Sequence, residues 1–215
     1  MAIEIIQMRN PTGSSLPLRF AKGHFATNHS HINYYVDLTM TKHRLSEARK
    51  AAIELTEQFK ISTVVDTILC LDGTEVVGAC MASQLTASGF TNLNAHQTIY
   101  VVTPEHGVGS QLLFRDNVAP MIRGKHILIL AASVTTGYTV QSAMEALNYY
   151  GGIVVGVSAI FSLVKECGGM PVVSIFNTEH LSDYMSTSPG ECPLCKAGSK
   201  VEALVNTYGI SSFNI

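Results

Sequence analysis

The sequence contains no tryptophan, and only 14% of its 215 residues are charged. Lysine and arginine together number 14 against 16 acidic residues, so there is no basic surplus to attract a nucleic-acid backbone. No run of about 18 uncharged apolar residues is present, as a membrane-spanning helix would need. The first residues also lack the basic segment and apolar run of a secretion signal. We therefore expect a protein that binds neither nucleic acid nor a membrane.

The chain contains only five cysteines, an odd number that cannot all pair in disulfides within one chain. Cys70, Cys80 and Cys167 stand in apolar surroundings, and buried free thiols persist best in a reducing compartment. We therefore predict a cytoplasmic protein. Because 47% of the residues are hydrophobic, the chain can fill the core of one compact domain.

Five short apolar runs rich in valine and isoleucine predict buried β-strands. They cover residues 63–71, 97–102, 126–131, 152–160 and 171–176. Stretches with helical spacing separate them, and the clearest places Val140, Met144 and Leu147 on one face of a helix that ends at Gly151. Alternation of strands and helices predicts an α/β fold with a mainly parallel sheet covered on both faces.

The segments outside these runs suggest how the single domain is organised. Residues 1–60 are predicted to form an N-terminal hood that ends in an amphipathic helix, residues 61–180 the sheet core, and residues 181–215 a surface loop or tail. The amphipathic helix is predicted from five apolar residues that share one face: Leu45, Ala48, Ala52, Leu55 and Phe59.

The stretch ILILAASVTTGYT at 127–139 leads from a strand through hydroxyls and a glycine into a helix. Such a turn directs backbone N–H groups and the positive end of the helix dipole to one point, which suits a phosphate. Gly137 gives the backbone the freedom to wrap around the anion. A turn that only caps the helix is the alternative. The predicted phosphate-binding residues are Ser133, Thr135, Thr136, Gly137, Tyr138 and Thr139.

The same stretch resembles the phosphoribosyl-diphosphate signature of the type I phosphoribosyltransferases, in which two acids follow an apolar strand and precede Thr-Thr-Gly. Residues 20–39, through NYYVDL at 33–38, are similar to the N-terminal segment of orotate phosphoribosyltransferases. Residues 69–85 match the first diphosphate-binding turn and its helix, and residues 101–112 match the mobile catalytic loop. The order of these four segments, which span most of residues 18–176, favours the type I phosphoribosyltransferase fold with an N-terminal hood.

The resemblance implies transfer of phosphoribosyl from phosphoribosyl diphosphate to a ring nitrogen of a base, as in pyrimidine biosynthesis. It implies Mg²⁺ on the diphosphate, a transition state with oxocarbenium character, and a homodimer whose catalytic loop reaches the partner's site. The expected ligand is a phosphorylated ribose or nucleotide. By position, the roles fall as follows: Asp72, Gly73 and Thr74 at the diphosphate, Tyr34 and Tyr35 at the base, and Glu105 and His106 in the catalytic loop. The two tyrosines could instead pack the hood onto the core.

The sequence departs from the family at two places. Ala131 and Ala132 stand where two acids would bind the ribose hydroxyls, a loss of roughly 3–6 kcal/mol if each acid accepts one charge-assisted hydrogen bond. Residues 103–105 replace the basic residues of the catalytic loop, and Arg115 and Lys125 are the cations that could compensate. Two interpretations stay open: a divergent phosphoribosyltransferase, or a catalytically weak or inactive module that senses a phosphoribosyl or nucleotide ligand.

Cys192 and Cys195 have the spacing of zinc ligands, but one pair supplies only two of the four that a structural site needs. The remainder could come from His180, Glu191 or a second copy of the chain, or the cysteines could be a reduced surface pair. If they bind Zn²⁺, the protein could be a zinc-stapled interaction protein. His29 and His31 lie on the same side of an extended segment and suit a metal or an anionic substrate, or are exposed loop residues.

Overall fold

A computed structural model of the chain describes residues 3–9, 13–89, 92–95, 97–107 and 111–213. The N-terminal part contains β1 (Ile6–Arg9), β2 (Pro17–Ala26), β3 (His31–Val36), α1 (Thr39–His43) and α2 (Leu45–Ser62). The central part contains β4 (Thr67–Cys70), α3 (Glu75–Leu85), β5 (Tyr100–Val102), β6 (Glu105–His106), β7 (Leu112–Leu113), β8 (His126–Val134), α4 (Tyr138–Tyr149), β9 (Ile153–Ser162), β10 (Glu166–Cys167) and β11 (Met170–Phe176). The C-terminal part adds β12 (Ser186–Thr187), α5 (Pro193–Lys196), β13 (Ala203–Asn206) and β14 (Gly209–Ser212).

The central sheet has the strand order β10-β11-β9-β8-β4-β5. All neighbours are parallel except β10 and β11. All five predicted apolar runs supply strands to this sheet, which confirms the predicted α/β class.

The two faces of the central sheet are buried in separate hydrophobic clusters, as the side-chain alternation of a strand requires. On one face α2 and α3 pack against Leu128, Leu130 and Ala132. On the other face α4 packs against Ile127, Ile129 and Ala131. Consecutive residues of β8 therefore enter opposite clusters, which is why this strand is a continuous apolar run in the sequence.

The predicted helices form where their apolar spacing places them. Helix α2 buries Ala48, Ala52, Leu55 and Phe59, whereas Leu45 is half exposed because it is the first helical residue. Helix α4 ends at Tyr149, and Gly151 follows with φ +77°, a conformation that glycine adopts without a steric penalty. None of the described helices combines the length and the apolar character needed to cross a membrane.

A second sheet forms the hood, with the order β12-β3-β2-β13-β14 and with β1 also paired to β2. Residues 181–215, predicted as a loop or tail, thus supply three of its strands. Strand β13 runs parallel to β2 and buries Ala203 and Val205 against Phe25 and Tyr35. Because β13 and β14 have four residues each, their alternation is too short to stand out in the sequence. The hood is therefore built from both ends of the chain.

An ion pair fastens the hood to α2. The guanidinium of Arg19 in β2 donates two hydrogen bonds, of 2.8 and 2.9 Å, to the carboxylate of Glu47. Thr41 is a further hydrogen-bond partner of this carboxylate. The hydrogen bonds from Arg19 lower the pKa of Glu47 although partial burial raises it, so the carboxylate stays charged in the folded protein.

Candidate functional site

The turn between β8 and α4 has the backbone geometry of an anion site. Gly137 precedes the helix with φ +81° and, as a glycine, offers no capping side chain, while the N–H of Tyr138 has a long contact of 3.5 Å with the hydroxyl of Thr136. The N–H groups at such a helix start have no partner within the helix, and they lie at the positive end of its dipole. The buried thiol of Cys167 holds the turn in place, since it donates to the carbonyl oxygen of Gly137 at 3.4 Å.

The predicted phosphate-binding residues divide between this turn and the strand before it. Ser133 belongs to β8 and pairs with Phe161, because β8 ends at Val134, three residues later than the predicted end at residue 131. Among the remaining residues, Thr136, Tyr138 and Thr139 are exposed, Thr135 is half-buried, and the backbone of Gly137 is buried. The three exposed residues leave hydroxyl groups and the helix start accessible from solvent.

A second turn, between β4 and α3, lies beside the first because β4 and β8 are adjacent parallel strands. Asp72 and Gly73 both have left-handed backbone conformations, with φ of +58° and +76°. The buried hydroxyl of Thr74 donates to the carbonyl oxygen of Leu71 at 2.8 Å and also lies 3.2 Å from that of Leu130. Thr74 therefore holds the turn against β8, and Asp72 and Gly73 are the residues left to face a ligand.

Groups from three other elements surround the carboxyl group of Asp72. Burial raises its pKa, and the charges of Lys42 and His106 together with the backbone N–H of Ala132 act in the opposite direction. His106 lies on β6, which pairs with β7 as a two-stranded arm. The structure thus brings together the predicted diphosphate turn and one predicted residue of the catalytic loop.

Lys42 in α1 contributes to this site and was not singled out by any sequence pattern. Its Nζ donates to the carbonyl oxygen of Asp72 at 2.9 Å and to that of Thr207 at 2.8 Å. Burial lowers the pKa of this ammonium, although the charges of nearby carboxylates oppose the shift. A lysine that lies four residues after the end of the match at Leu38 carries no signal of its own in the sequence.

The two-stranded arm of β6 and β7 also carries Glu105, the other predicted residue of the catalytic loop. Glu105 and Arg115 form an ion pair of 2.6 Å on its exposed surface, and hydrogen bonding to Arg115 lowers the pKa of Glu105. Residues 108–110 of the predicted loop lie outside the described residues. Lys125, the other cation considered, lies at the opposite end of β8, near Asp66, whose pKa is raised by burial but lowered overall by hydrogen bonds from His126 and, less, by the charge of Lys125. Arg115 is thus engaged by Glu105, and Lys125 is distant from both turns.

Ala131 and Ala132 lie inside β8 and are only 1% and 5% exposed. Their methyl groups enter opposite hydrophobic clusters. The carboxyl group that approaches this part of the strand belongs to Asp72, on the neighbouring turn.

Tyr34 and Tyr35 point to opposite faces of β3, as consecutive strand residues must. Tyr34 packs on Tyr184, and its hydroxyl donates to Asp183 at 2.6 Å. Tyr35 packs against Phe25 in the hood, and a side chain added at Gly209 would lie 4.0 Å from its hydroxyl. The two tyrosines therefore do not line a common pocket, and Tyr35 is the one nearer to the turn that carries Thr207.

Cys192 and Cys195 meet two histidines of the hood. The ligand atoms of His24, His31, Cys192 and Cys195 all lie within 4.8 Å of one another. His29 lies in the exposed turn before β3, and neither His180 nor Glu191 belongs to this cluster. The sequence analysis named His31 and the two cysteines as candidates for separate sites, and it missed His24, which lies in β2 without a second histidine or a cysteine close to it in the sequence.

Known proteins resemble this chain over most of its length, although no family model matches it. The orotate phosphoribosyltransferase of Pelotomaculum thermopropionicum is 27% identical over 199 residues, which cover 91% of this chain and 92% of the relative. That of Chlorobium phaeobacteroides is 33% identical over 88 residues, or 40% of this chain and 42% of the relative.

Solved structures show the same fold. Mycobacterium tuberculosis H37Rv orotate phosphoribosyltransferase in complex with phosphoribosyl diphosphate matches with a TM-score of 0.51 at 17% identity, over 68% of this chain and 82% of that one. A phosphoribosyltransferase from Corynebacterium diphtheriae matches with a TM-score of 0.50 at 22% identity, over 70% and 86% of the two chains.

The chain therefore has the type I phosphoribosyltransferase fold, as the order of its four sequence segments predicted. Within that fold it is orotate phosphoribosyltransferase-like, since its full-length curated relatives carry that name.

Proposed function

We propose that this protein binds phosphoribosyl diphosphate and transfers its phosphoribosyl group to a base. The observation that carries the proposal is the placement of the two turns, at the carboxyl ends of the adjacent parallel strands β4 and β8. Ligands of open parallel sheets bind at this edge. One turn suits the 5′-phosphate and the other the diphosphate, so a single ribose would lie between them.

At the first turn, the start of α4 would bind the 5′-phosphate. Backbone N–H groups around Gly137 and the hydroxyls of Thr135, Thr136 and Thr139 supply donors, and the helix dipole favours the negative charge. At the second turn, Asp72 and Gly73 would face the diphosphate while Lys42 fixes the backbone of the turn. His106 would approach the leaving group from the arm.

The residues at the second turn are compatible with Mg²⁺, which prefers oxygen ligands and is commonly held by one or two carboxylates plus substrate phosphates. Asp72 supplies the carboxylate, and the substrate would supply further oxygens. When bound, the ion would neutralise charge on the departing diphosphate. Ala131 and Ala132 offer no ligand, so Asp72 would have to serve alone among the residues of these two turns.

A second candidate function is a module that binds a phosphoribosyl or nucleotide ligand with little or no turnover. It is favoured by the buried methyl groups of Ala131 and Ala132 and by Glu105, which already engages Arg115. Loss of one transition-state donor costs about 10²–10³ in rate.

A diphosphate-release assay distinguishes the two functions. The protein would be incubated with phosphoribosyl diphosphate and Mg²⁺, with orotate and a panel of other bases, while calorimetry measures binding of ribose 5-phosphate. Binding with base-dependent release supports the transferase, and binding without release supports the second candidate. If neither ribose 5-phosphate nor phosphoribosyl diphosphate binds, both are wrong. Cytoplasmic location, a role in pyrimidine biosynthesis and the homodimer stay predictions, and light scattering would test the last.

A further inference from the structure

Four side chains from distant parts of the chain converge on one point of the hood. His24 Nε2 lies 3.0 Å from His31 Nδ1, 3.5 Å from Cys192 Sγ and 3.7 Å from Cys195 Sγ. The distance between Cys195 Sγ and His31 Nδ1 is 3.3 Å. With Zn–S bonds of about 2.3 Å and Zn–N bonds of about 2.0–2.1 Å, the edges of a tetrahedral Cys₂His₂ site are about 3.3–3.8 Å long. The four measured separations are close to these edges.

The orientation of His24 favours a metal ligand. Its Nδ1 lies 3.0 Å from the carbonyl oxygen of Ser199, and because a carbonyl only accepts, this nitrogen carries the proton. The lone pair is then on Nε2, which faces the other three ligand atoms. A backbone carbonyl that orients the distal nitrogen in this way is the usual second partner of a metal-bound histidine.

From this geometry we propose that His24, His31, Cys192 and Cys195 bind one structural Zn²⁺ ion. Two thiolates and two imidazoles in a tetrahedral arrangement select zinc among the common cellular metals. All four positions are filled by protein atoms, so no coordination site is left for a substrate. The site therefore differs in kind from the proposed Mg²⁺ position, and it does not depend on the transferase function.

The ion would connect the two ends of the chain. His24 lies in β2, and His31 is the first residue of the antiparallel strand β3. Cys192 directly precedes α5 and Cys195 lies within it, between β12 and β13. Zinc would therefore fix the α5 segment to the hood immediately before the β13–β14 hairpin. The turn of that hairpin carries Thr207, which binds Lys42. A metal at this position would stabilise one wall of the candidate site from a distance.

Elemental analysis of the purified full-length chain, prepared without chelators and under reducing conditions, tests the proposal. We expect one zinc per chain in the wild type. Cys195→Ser and His31→Ala should reduce the content at least tenfold. His29→Ala and Cys80→Ser are the matched controls, because they change the same residue types outside the cluster and should retain the metal. The melting temperature of the metal-free variants should fall by roughly 10 °C or more, as expected when a structural zinc site is lost.

Reconstitution with Co²⁺ gives a second measurement that does not require any variant to fold. A tetrahedral site with two thiolates should give intense visible d–d bands and a sulfur-to-cobalt charge-transfer band, and one equivalent of Zn²⁺ should abolish them. The proposal is wrong if the reduced wild type contains no zinc and takes up neither ion. It is equally wrong if His29→Ala loses the metal while His31→Ala keeps it. Iron in place of zinc would overturn the assignment of the metal.

Discussion

The Nζ of Lys42 lies 2.9 Å from the carbonyl oxygen of Asp72, so helix α1 holds the predicted diphosphate turn of the core through one buried ammonium. The same ammonium donates to Thr207 in the C-terminal hairpin. Three segments that are far apart in the sequence thus meet at a single charge. A substitution of Lys42 should therefore affect the turn, α1 and the hairpin together.

Replacement of Lys42 with methionine should lower the free energy of unfolding by about 1–3 kcal/mol. The carbonyl oxygens of Asp72 and Thr207 lose their charged hydrogen-bond donor, and this loss of stability is larger than the gain from no longer burying an ammonium group. Urea denaturation measures this difference. Lys60→Met is the control, since Lys60 pairs with the exposed Glu57 and such pairs contribute about 0–1 kcal/mol. Equal stability of the two variants would show that the Lys42 contacts do not contribute.

Gly137→Ala should weaken binding of ribose 5-phosphate at least tenfold. The left-handed φ of +81° disfavours alanine by about 1–2 kcal/mol. The new Cβ would also meet Cys167 Sγ at 2.8 Å, so the turn must move. Gly151→Ala shares the left-handed conformation, but its Cβ would meet Arg123 at an ordinary 3.7 Å. Calorimetry should show unchanged affinity for Gly151→Ala, and unchanged affinity for Gly137→Ala would remove the turn as the phosphate site.

Ala132→Asp should destabilise the protein by about 1–3 kcal/mol, because it buries a carboxylate beside that of Asp72. Ala132→Asn has nearly the same shape without the charge and serves as the control. The difference between the two variants should shrink when Asp72→Asn is added, and also when Mg²⁺ and phosphoribosyl diphosphate are present. Thermal denaturation of the four combinations gives the coupling. A difference that is independent of Asp72 would mean that the two carboxylates do not interact.

Glu47→Gln should destabilise the protein in a pH-dependent way. Arg19 lowers the pKa of Glu47 in the folded state, so the carboxylate stabilises the fold above the ordinary glutamate pKa of about 4.3. This contribution is lost as the pH falls through the lower folded-state pKa. The difference in unfolding free energy from wild type should be about 1–3 kcal/mol at pH 5–7 and should diminish below pH 4.

Denaturation at several pH values measures this difference, and Glu57→Gln, which affects the exposed pair with Lys60, should show little effect throughout. A constant difference for Glu47→Gln between pH 7 and pH 3 would contradict the role of its charge.

The central sheet and both turns were predictable because their signals are local. β8 is a short continuous apolar run rich in isoleucine and leucine that is followed by Thr-Thr-Gly, and its length and this flanking turn predict a buried strand. The cluster of two histidines and two cysteines was only partly predictable, since His24 and Cys192 are 168 positions apart and only the fold brings them together. Tyr34 and Tyr35 were given one role by the resemblance to orotate phosphoribosyltransferases, whereas the alternation of β3 directs them to opposite faces. Lys42 gave no signal, because its importance lies in two backbone carbonyls that the sequence does not mark.

The parallel pairing of β13 with β2 has a consequence for the exposed edges of the hood sheet. Strand β1 pairs with Pro17–Phe20 of β2, whereas Phe25 and Ala26 of the same strand pair with β13. An unpaired strand edge is a template for association with other chains. Detachment of β13 from the hood would therefore expose such an edge at Phe25 and Ala26 while the central sheet stays complete.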